Sequence, residues 1–316
     1  MLLKIRDLKI EYSSDKDIEV IRGLDLDIKK GECVGLVGES GCGKTTVGLS
    51  ITRLIPERAG KIRSGSILFE GRDILGLNKD ELRSIRGKKI SYVFQEPFSS
   101  LNPVFTIYDQ LKEAVPLHLD TKGYIDSLLE SVGLSELCGK KNIYPHELSG
   151  GMQQRIAIAM AIASKPDLLV LDEPTTALDV TVQKKIILLI KQLKEKMDLS
   201  VLFISHDLGI IFNLADTINV MYGGMIIEKG SREDILQRPN HPYTKALLNS
   251  IPGLGHRKKR FDAIVGKGPL FSDLPKGCKF YPRCKSRIDS CRLSEPGLIE
   301  VSIGHFSRCI RWKEDI

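Results

Sequence analysis

The sequence predicts an α/β fold, and two observations carry this prediction. An apolar strand from Cys33 to Val37 leads directly into a glycine-rich loop, and a helix follows from Thr45 to Leu54. A second apolar strand, Leu168 to Leu171, ends at two adjacent carboxylates, Asp172 and Glu173. A strand, a glycine-rich loop and a helix in succession form a phosphate-binding unit, and such sheets place ligands at the carboxyl ends of their strands. The two strands therefore predict an α/β core with a nucleotide site at one sheet edge.

The remaining periodicity adds two smaller parts to this core. Apolar and polar residues alternate from Leu8 to Tyr12 and from Leu24 to Ile28, as in half-buried antiparallel strands. From about Thr106 to Ser164 the apolar spacing becomes helical. We therefore expect a small antiparallel sheet and an inserted helical subdomain at about residues 104–164. Shorter patterns predict strands at 67–69, 90–94 and 201–205, a helical face at Ile125, Leu128, Leu129 and Val132, and an amphipathic helix from Val182 to Met197.

The loop after the first strand has the sequence Gly38-Glu-Ser-Gly-Cys-Gly-Lys-Thr-Thr46, which fits the P-loop pattern G-x-x-x-x-G-K-T. Its glycines let backbone N–H groups converge on phosphates, and the N-terminus of the following helix favours their negative charge. Lys44 suits the β- and γ-phosphates, Thr45 suits Mg²⁺, and Thr46 can add a hydroxyl to the α-phosphate. The predicted ATP-binding residues of this loop are Gly38, Ser40, Gly41, Cys42, Gly43, Lys44, Thr45 and Thr46.

The two carboxylates after the second strand have different predicted roles. Asp172 would hold Mg²⁺, directly or through water. Glu173 is the better candidate for polarising the attacking water, since a carboxylate in a closed, phosphate-rich site is well placed as a general base. On a surface such a pair would usually be solvated, but in this sequence four apolar strand residues precede it.

Five segments in order resemble the ATPase subunit of ATP-binding-cassette (ABC) transporters, over residues 1–236. They are the P-loop, Gln95, the stretch Leu148-Ser-Gly-Gly-Met-Gln-Gln-Arg155, the stretch Leu168 to Glu173, and His206. The resemblance implies a P-loop NTPase with a RecA-like core, which carries the antiparallel sheet and the helical insertion. It also implies that Gln95 completes the Mg²⁺ shell and that His206 contacts the γ-phosphate.

The same resemblance implies that ATP is bound between two cassettes. Ser149, Gly150 and Gly151 belong to the signature sequence, and in the family they complete the γ-phosphate site of a second cassette. Asp179 falls in a segment that resembles the loop coupling the two sites. Tyr12 falls where the family stacks an aromatic ring on adenine, although it could also be a plain strand aromatic.

Three further segments, at 94–103, 144–148 and 241–243, resemble the ATPases of dipeptide and oligopeptide importers. Nickel and metallophore importers share these motifs, so they remain the alternative. The resemblance implies a second ABC ATPase subunit, identical or paralogous, two transmembrane permeases, and an extracytoplasmic solute-binding protein acting through them. The chain would then be peripheral, at the cytoplasmic face of the cell membrane, with residues 237–316 as a C-terminal extension of the importer type.

Composition agrees with a chain that reaches the membrane only through partners. The longest apolar run, Ile156 to Ala163, is far short of the roughly 20 residues that cross a bilayer. The net charge of +7 is concentrated in the C-terminal part, most densely from His256 to Arg260. That run is either a solvated linker or a surface for an anionic partner. No nucleic-acid motif accompanies it, so we expect no nucleic-acid partner, and a non-transport ABC ATPase acting on nucleic acid or the ribosome is less favoured.

Four of the seven cysteines lie in the last 40 residues, and they are Cys278, Cys284, Cys291 and Cys309. Disulfides are rare in cytoplasmic proteins, and four thiolates can hold either Zn²⁺ or an iron–sulfur cluster. The tight cysteine pairs of zinc ribbons are missing from this stretch, whereas a cluster tolerates wider spacing. Some peptide-importer ATPases carry a C-terminal four-cysteine [4Fe–4S] site, which this segment resembles. We therefore expect a [4Fe–4S] cluster, with Zn²⁺, free thiols or a disulfide as alternatives and His305 as a spare ligand.

Overall fold

The structure is a computed structural model. It describes residues 1–13, 17–56, 58–96, 100–116, 119, 121–176, 178–251, 264 and 266–312. The chain divides into two compact units. The first unit combines Met1–Gly76 with Ile204–Ile316, and the second unit is Leu77–Phe203. The basic run at 256–260 lies outside the described residues.

Strands dominate the N-terminal part of the chain, and helices and strands alternate after it. The strands are β1 (Leu3–Ser13), β2 (Asp17–Ile28), β3 (Cys33–Val37), β4 (Gly60–Phe69), β5 (Arg72–Asp73), β6 (Ile90–Val93), β7 (Leu168–Asp172), β8 (Ser200–Ser205), β9 (Thr217–Tyr222), β10 (Met225–Ser231), β11 (Ile299–Ser302) and β12 (His305–Ser307). The α-helices are α1 (Lys44–Ile51), α2 (Lys79–Ile85), α3 (Ile107–Ala114), α4 (Thr121–Ser131), α5 (Gly150–Ile162), α6 (Val180–Met197), α7 (Leu208–Phe212), α8 (Arg232–Gln237), α9 (Pro242–Asn249) and α10 (Ser290–Leu293).

The first unit contains an antiparallel sheet in the strand order β2-β1-β4-β5. Ile10 of β1 lies opposite Ile21 on β2 and Ile62 on β4. The apolar residues of the two predicted alternating stretches are fully buried, apart from the half-buried Tyr12, whereas their polar neighbours stay partly exposed. This burial confirms both predicted strands, since one face of each packs into the core and the other does not.

The same unit holds a second set of strands in the order β11-β12-β10-β9-β3. Strands β3 and β9 are parallel, and the other neighbours are antiparallel. Every residue of β3 is buried, as its continuous apolar run predicted. A Cβ atom at Gly35 would lie 2.5 Å from the Ile211 side chain, so this strand needs glycine where α7 packs against it.

The C-terminal strands extend this sheet, which the sequence patterns did not predict. Phe306 of β12 lies opposite Lys229 of β10, and Ser307 lies opposite Glu228. Strands β11 and β12 have four and three residues, which is too short for a periodic signal. Strand β12 is thereby hydrogen-bonded to β10.

In the second unit, β6 and β7 are parallel neighbours, and the next strand in the order is β8, which begins in this unit. The predicted helical region contains α3, α4 and α5, and the predicted face of α4 is buried. Helix α6 buries Ile186, Leu189 and Leu193, three of the residues that predicted it. Residues 97–99, inside the segment 94–103 that resembles the importer ATPases, lie outside the described residues. In the described part of the chain, we find no helix both long and apolar enough to span a membrane.

Candidate functional site

The P-loop connects β3 to α1 and is shaped by its glycines. Gly43 is the N-cap of α1 with a φ of 105°, in the left-handed region that favours glycine. A Cβ atom at Gly38 would lie 2.3 Å from the carbonyl oxygen of Met221, so no larger residue fits there. The N-cap makes no side-chain hydrogen bond to the first turn of α1. The predicted strand, loop and helix are therefore present, with a helix N-terminus that no side chain caps.

The side chain of Lys44 is folded back along this loop. Its ammonium group is buried and donates hydrogen bonds to the carbonyl oxygens of Gly38, at 2.8 Å, and Glu39, at 3.1 Å. Thr45 is exposed, and its neighbour Thr46 is buried. The loop thus holds its cation in place at the point where the motif predicts phosphate binding.

Tyr12 lies beside this loop at the end of β1. Its hydroxyl oxygen is 3.5 Å from that of Thr46, and its ring is half-buried. A Cβ atom built on Gly43 would lie 3.4 Å from Val20 on β2. The antiparallel sheet therefore brings an aromatic and an aliphatic side chain to the P-loop, and the adenine contact of Tyr12 stays a prediction.

In the second unit, the two predicted carboxylates end β7. Asp172 is the last residue of the strand and is 2% exposed, and its Oδ2 accepts a hydrogen bond of 2.8 Å from the Tyr92 hydroxyl. Glu173 is 7% exposed and has a φ of 47°, a left-handed conformation that is uncommon for a residue with a side chain. Its Oε2 accepts a hydrogen bond of 2.9 Å from the Thr176 hydroxyl.

Tyr92 and Thr176 are site residues that the sequence analysis missed. Tyr92 lies on β6 opposite Val170 of β7, and its hydroxyl is the polar tip of a mostly apolar strand. The sequence signal that could have indicated this contact is the tyrosine inside the strand predicted at 90–94. Both hydroxyls donate to carboxylate oxygens, so they fix the orientation of Asp172 and Glu173.

Gln95 and His206 are both exposed, just beyond strand ends. Gln95 follows β6, which is parallel to β7, so Gln95 and Asp172 lie at the same edge of the second unit's strands. His206 follows β8, and the next residue, Asp207, caps α7 by accepting from the N–H groups of Gly209 and Ile210. Both side chains are thus presented at strand ends, as predicted.

The signature residues begin helix α5. Ser149 is the exposed N-cap, and its hydroxyl oxygen accepts a hydrogen bond of 3.4 Å from the Met152 N–H. A Cβ atom at Gly151 would lie 2.6 Å from Val182, so the close approach of α6 requires glycine. Asp179 caps α6 by accepting from the N–H groups of Thr181 and Val182. Ala177, which belongs to the same segment as Asp179, lies outside the described residues.

The four C-terminal cysteines line one cavity in the first unit. Cys284, Cys291 and Cys309 are buried, and Cys278 is half-buried. Burial raises the pKa of Cys278 to about 11 and also raises the pKa values of Cys284 and Cys309. These thiols would therefore stay protonated at neutral pH unless a metal took up the thiolates.

The charges around this cavity are positive. Arg287, Arg308 and Arg311 line it together with the cysteines. His305 lies elsewhere, because its Nε2 is 2.8 Å from Oε1 of the buried Glu228. Within the described residues, no group of three or more His, Cys, Asp and Glu side chains could hold a metal ion as they stand. The position of His305 therefore gives no support to its expected role as a spare ligand.

Comparisons with known proteins agree with these features. A family model for the ABC transporter matches residues 21–176, and one for the C-terminal region of oligopeptide/dipeptide transporters matches residues 227–291. The chain is 42% identical to the oligopeptide transport ATP-binding protein AppD of Bacillus subtilis, over 99% of this chain and 98% of that protein. It is 41% identical to the dipeptide transport ATP-binding protein DppD of the same organism, over 99% of this chain and 95% of that protein.

A solved structure shares the fold of the cassette. It is the dimeric, post-hydrolysis state of an ATP-binding cassette bound to ADP and Pi, and it matches with a TM-score of 0.64 and 28% identity. The match covers 73% of this chain and 99% of that one. AppD and DppD both have names from peptide transport, so they lend no support to the nickel alternative.

Proposed function

Because the chain belongs to the ATP-binding subunits of peptide ABC transporters, an ATP-hydrolysing family, we propose that it powers import of di- and oligopeptides across the cytoplasmic membrane. One observation carries the choice of solute. The C-terminal region matches the one found in oligopeptide and dipeptide transporters, in a chain whose P-loop lies in the matched ABC region. The proposal therefore rests on a similarity that spans nearly the whole chain.

In this proposal the predicted site residues have different roles in the reaction. Lys44, Thr46 and the N–H groups at the start of α1 bind the phosphates of ATP. The oxygens of Thr45, Gln95 and Asp172 are the ligands that Mg²⁺ prefers, and Mg²⁺ when bound neutralises developing negative charge on the phosphates. Tyr92 supports the Asp172 carboxylate through its hydrogen bond.

Glu173 is the proposed general base. A water oxygen attacks the γ-phosphorus, the bond from that phosphorus to the β–γ bridging oxygen breaks, and the water proton passes to the Glu173 carboxylate. The products are ADP and inorganic phosphate. The Thr176 hydroxyl holds one oxygen of Glu173, which orients the carboxylate before the water arrives. His206 would contact the γ-phosphate from the end of β8.

The signature residues serve a second cassette in this proposal. Ser149 is exposed, Gly150 and Gly151 are half-exposed, and together they begin a helix whose N-terminus favours an anion. They complete the γ-phosphate site of a partner cassette, either a second copy of this chain or a paralogue. ATP would therefore join the two cassettes, and Asp179 would couple the two sites.

The complete importer in this proposal has three further subunits. Two transmembrane permeases hold the cassettes at the cytoplasmic face of the membrane, and an extracytoplasmic solute-binding protein delivers the peptide to the permeases. The segment from Gln95 to Pro103 receives a permease helix. ATP hydrolysis by the isolated chain would then be slow and would not respond to solute.

Uptake by proteoliposomes tests this function. The assembled importer is reconstituted with ATP inside the vesicles, and entry of a labelled dipeptide, a labelled oligopeptide and Ni²⁺ is measured. The proposal expects ATP-dependent peptide uptake that stops when the chain carries Lys44→Ala. ATP-dependent uptake of Ni²⁺ without peptide uptake would show that the solute is wrong.

We also propose that Cys278, Cys284, Cys291 and Cys309 hold a [4Fe–4S] cluster. Four thiols face one cavity, and a cluster bears one thiolate on each of four irons, so it does not require all sulfurs to meet at a single ion. The surrounding arginines offset the negative charge of such a cluster. The ATP chemistry requires no electron, so the role that we propose for the cluster is structural. The cluster would hold the C-terminal segment in place.

Metal analysis tests the cluster independently of transport. Protein purified without oxygen should be brown and contain about four irons and four sulfides per chain. The matched Cys42→Ser variant, which removes a thiol in the P-loop, should keep its iron, whereas Cys284→Ser should lose it. A colourless protein with one zinc and no iron would refute the cluster.

A further inference from the structure

Glu39 occupies a position that the P-loop pattern leaves open, yet each of its polar groups has a partner. Its N–H donates a hydrogen bond of 3.0 Å to the Tyr243 hydroxyl. Its carbonyl oxygen accepts from the Lys44 ammonium at 3.1 Å and from the Cys42 N–H at 3.3 Å. Its carboxylate accepts from both terminal nitrogens of Arg283, at 2.6 and 2.9 Å. Glu39 is therefore the point where the phosphate loop is fixed.

Two of these partners come from the far end of the chain. Tyr243 lies on α9, and Arg283 immediately precedes Cys284, so both belong to the C-terminal segment of the same unit. A glycine-rich loop is intrinsically mobile, because glycine has the largest conformational freedom of any residue. Contacts from a distant segment restrict that freedom and hold one loop geometry.

The Arg283–Glu39 contact has the geometry of a strong ion pair. Two parallel N–H···O bonds join a planar guanidinium to a carboxylate, an arrangement that lysine cannot reproduce. The Arg283 side chain is 9% exposed and the Glu39 side chain is 27% exposed, so solvent screens the pair less than it screens a fully exposed one. Arg283 also donates to the carbonyl oxygen of Gly266 at 3.0 Å and lies over the ring of Tyr222. Its guanidinium is therefore held on several sides.

Tyr243 is equally constrained. It is fully buried, and its ring centroid is 4.7 Å from that of Tyr222 and 5.3 Å from that of Phe280. Burial raises the pKa of its hydroxyl well above the ordinary value, so the group is neutral at physiological pH. A neutral hydroxyl in a packed ring cluster gives the Glu39 N–H a fixed acceptor.

We propose that the C-terminal segment is a positioning element for ATP binding, in which Arg283 and Tyr243 act on the P-loop through Glu39. The Glu39 peptide places the carbonyl oxygen that Lys44 contacts, so its position sets where the Lys44 ammonium lies. Electrostatic binding of phosphates depends on donors that are arranged beforehand. The inference goes beyond the proposed transport function, and it concerns nucleotide binding by the chain alone.

The test measures the ATP dissociation constant of the purified full-length chain by calorimetry. The variants are Arg283→Met, Tyr243→Phe, Glu39→Gln and the pair Glu39→Gln with Arg283→Met. Tyr243→Phe keeps the ring and its packing and removes only the hydroxyl. We expect each single variant to bind ATP at least about fivefold more weakly, the lower end of typical coupling between sites.

Two comparisons separate a positioning role from general damage. Because Arg283 acts through Glu39, the double variant should bind ATP about as weakly as the weaker single variant, rather than showing the product of both losses. Arg283→Lys should recover part of the affinity. The matched control is Arg238→Met, which removes another arginine–carboxylate pair of the same unit, with Asp234, and should leave ATP binding unchanged.

Several results would overturn the proposal. One such result is an ATP affinity within about twofold of the parent for both Arg283→Met and Tyr243→Phe. Changes of that size are expected even for substitutions at sites that do not interact. Losses that multiply in the double variant would show that Arg283 does not act through Glu39. An equal loss in Arg238→Met would show a general effect of removing an ion pair. If Arg283→Met fails to fold, the result for Tyr243→Phe decides alone.

Discussion

Two helices of this protein start at glycine-rich sequences, and their N-termini are built differently. Helix α1 follows the P-loop, has glycine as its N-cap, and makes no side-chain hydrogen bond from that cap. Helix α5 starts at the signature sequence, and the Ser149 hydroxyl at its N-cap accepts the Met152 N–H. The preceding loop of α1 is fixed by Lys44 and Glu39, whereas Ser149 lies exposed on the surface of its own unit.

We expect such a difference between the two halves of the shared site proposed above. A loop that must surround several phosphates needs a cation held beside it, and the P-loop holds the Lys44 ammonium with the carbonyl oxygens of Gly38 and Glu39. A surface that contacts only the last phosphate of a neighbour's ATP needs fewer donors and must be accessible. The signature helix meets both conditions. Ser149 is exposed, and its hydroxyl already satisfies one N–H group of the first turn.

Glu173→Gln is the change with the largest expected effect. It removes the proposed base and leaves the P-loop intact, so hydrolysis in the assembled importer should fall by roughly 10²- to 10⁴-fold while ATP still binds. Slow turnover should then accumulate dimers joined by ATP, which light scattering detects. Substantial hydrolysis by Glu173→Gln in the importer would remove Glu173 from its assigned role.

Ser149→Asp tests the signature half of the comparison. Aspartate caps helices as well as serine does, so the fold should be retained, but its charge would repel the γ-phosphate of a partner's ATP. A like charge in an interface costs several kcal/mol, and we expect hydrolysis to fall by about 100-fold. ATP binding to the single chain, measured by calorimetry, should not change.

Ser149→Asn is the matched control for this substitution. Asparagine caps the helix in a similar way without the charge, so it should lose much less activity than aspartate. Equal losses in the two variants would show that the position is sensitive to shape. In that case the contact with a partner's phosphate would have no support from Ser149.

Tyr92→Phe has a smaller expected effect, which concerns the Asp172 carboxylate. Loss of its hydroxyl removes the hydrogen bond to Asp172 and leaves the ring beside Phe94. Groups that orient a metal ligand typically change metal affinity by about tenfold or more. The Mg²⁺ concentration for half-maximal hydrolysis should rise accordingly, and an unchanged Mg²⁺ dependence would place Asp172 outside the metal site.

Local patterns predicted the parts of the molecule in which neighbours in sequence are neighbours in space. The strand before the P-loop, the start of α1 and the strand ending at Asp172 each follow from a continuous apolar run next to a polar turn. The buried face of α4 follows from helical spacing in the same way. Such elements carry their own signal, and their existence is confirmed.

Contacts between distant residues left no such signal. Arg283 lies 244 residues after Glu39, and nothing in either local sequence indicates that they form an ion pair. The pairing of β12 with β10 was missed for the same reason, since three residues carry no period. The closeness of the four cysteines was predicted because they share one short stretch of chain, and they do line one cavity.

Mixing two inactive variants is the most direct test of a site shared between two chains. In a Glu173→Gln background, one chain also carries Lys44→Ala and the other Ser149→Asp. Neither chain alone should form an ATP-dependent dimer, because each supplies one defective half to both sites. A mixed dimer has one site with an intact P-loop and an intact signature sequence, so the mixture should associate when ATP is added. A mixture that stays monomeric with ATP, while the Glu173→Gln chain itself dimerises, would contradict the shared site.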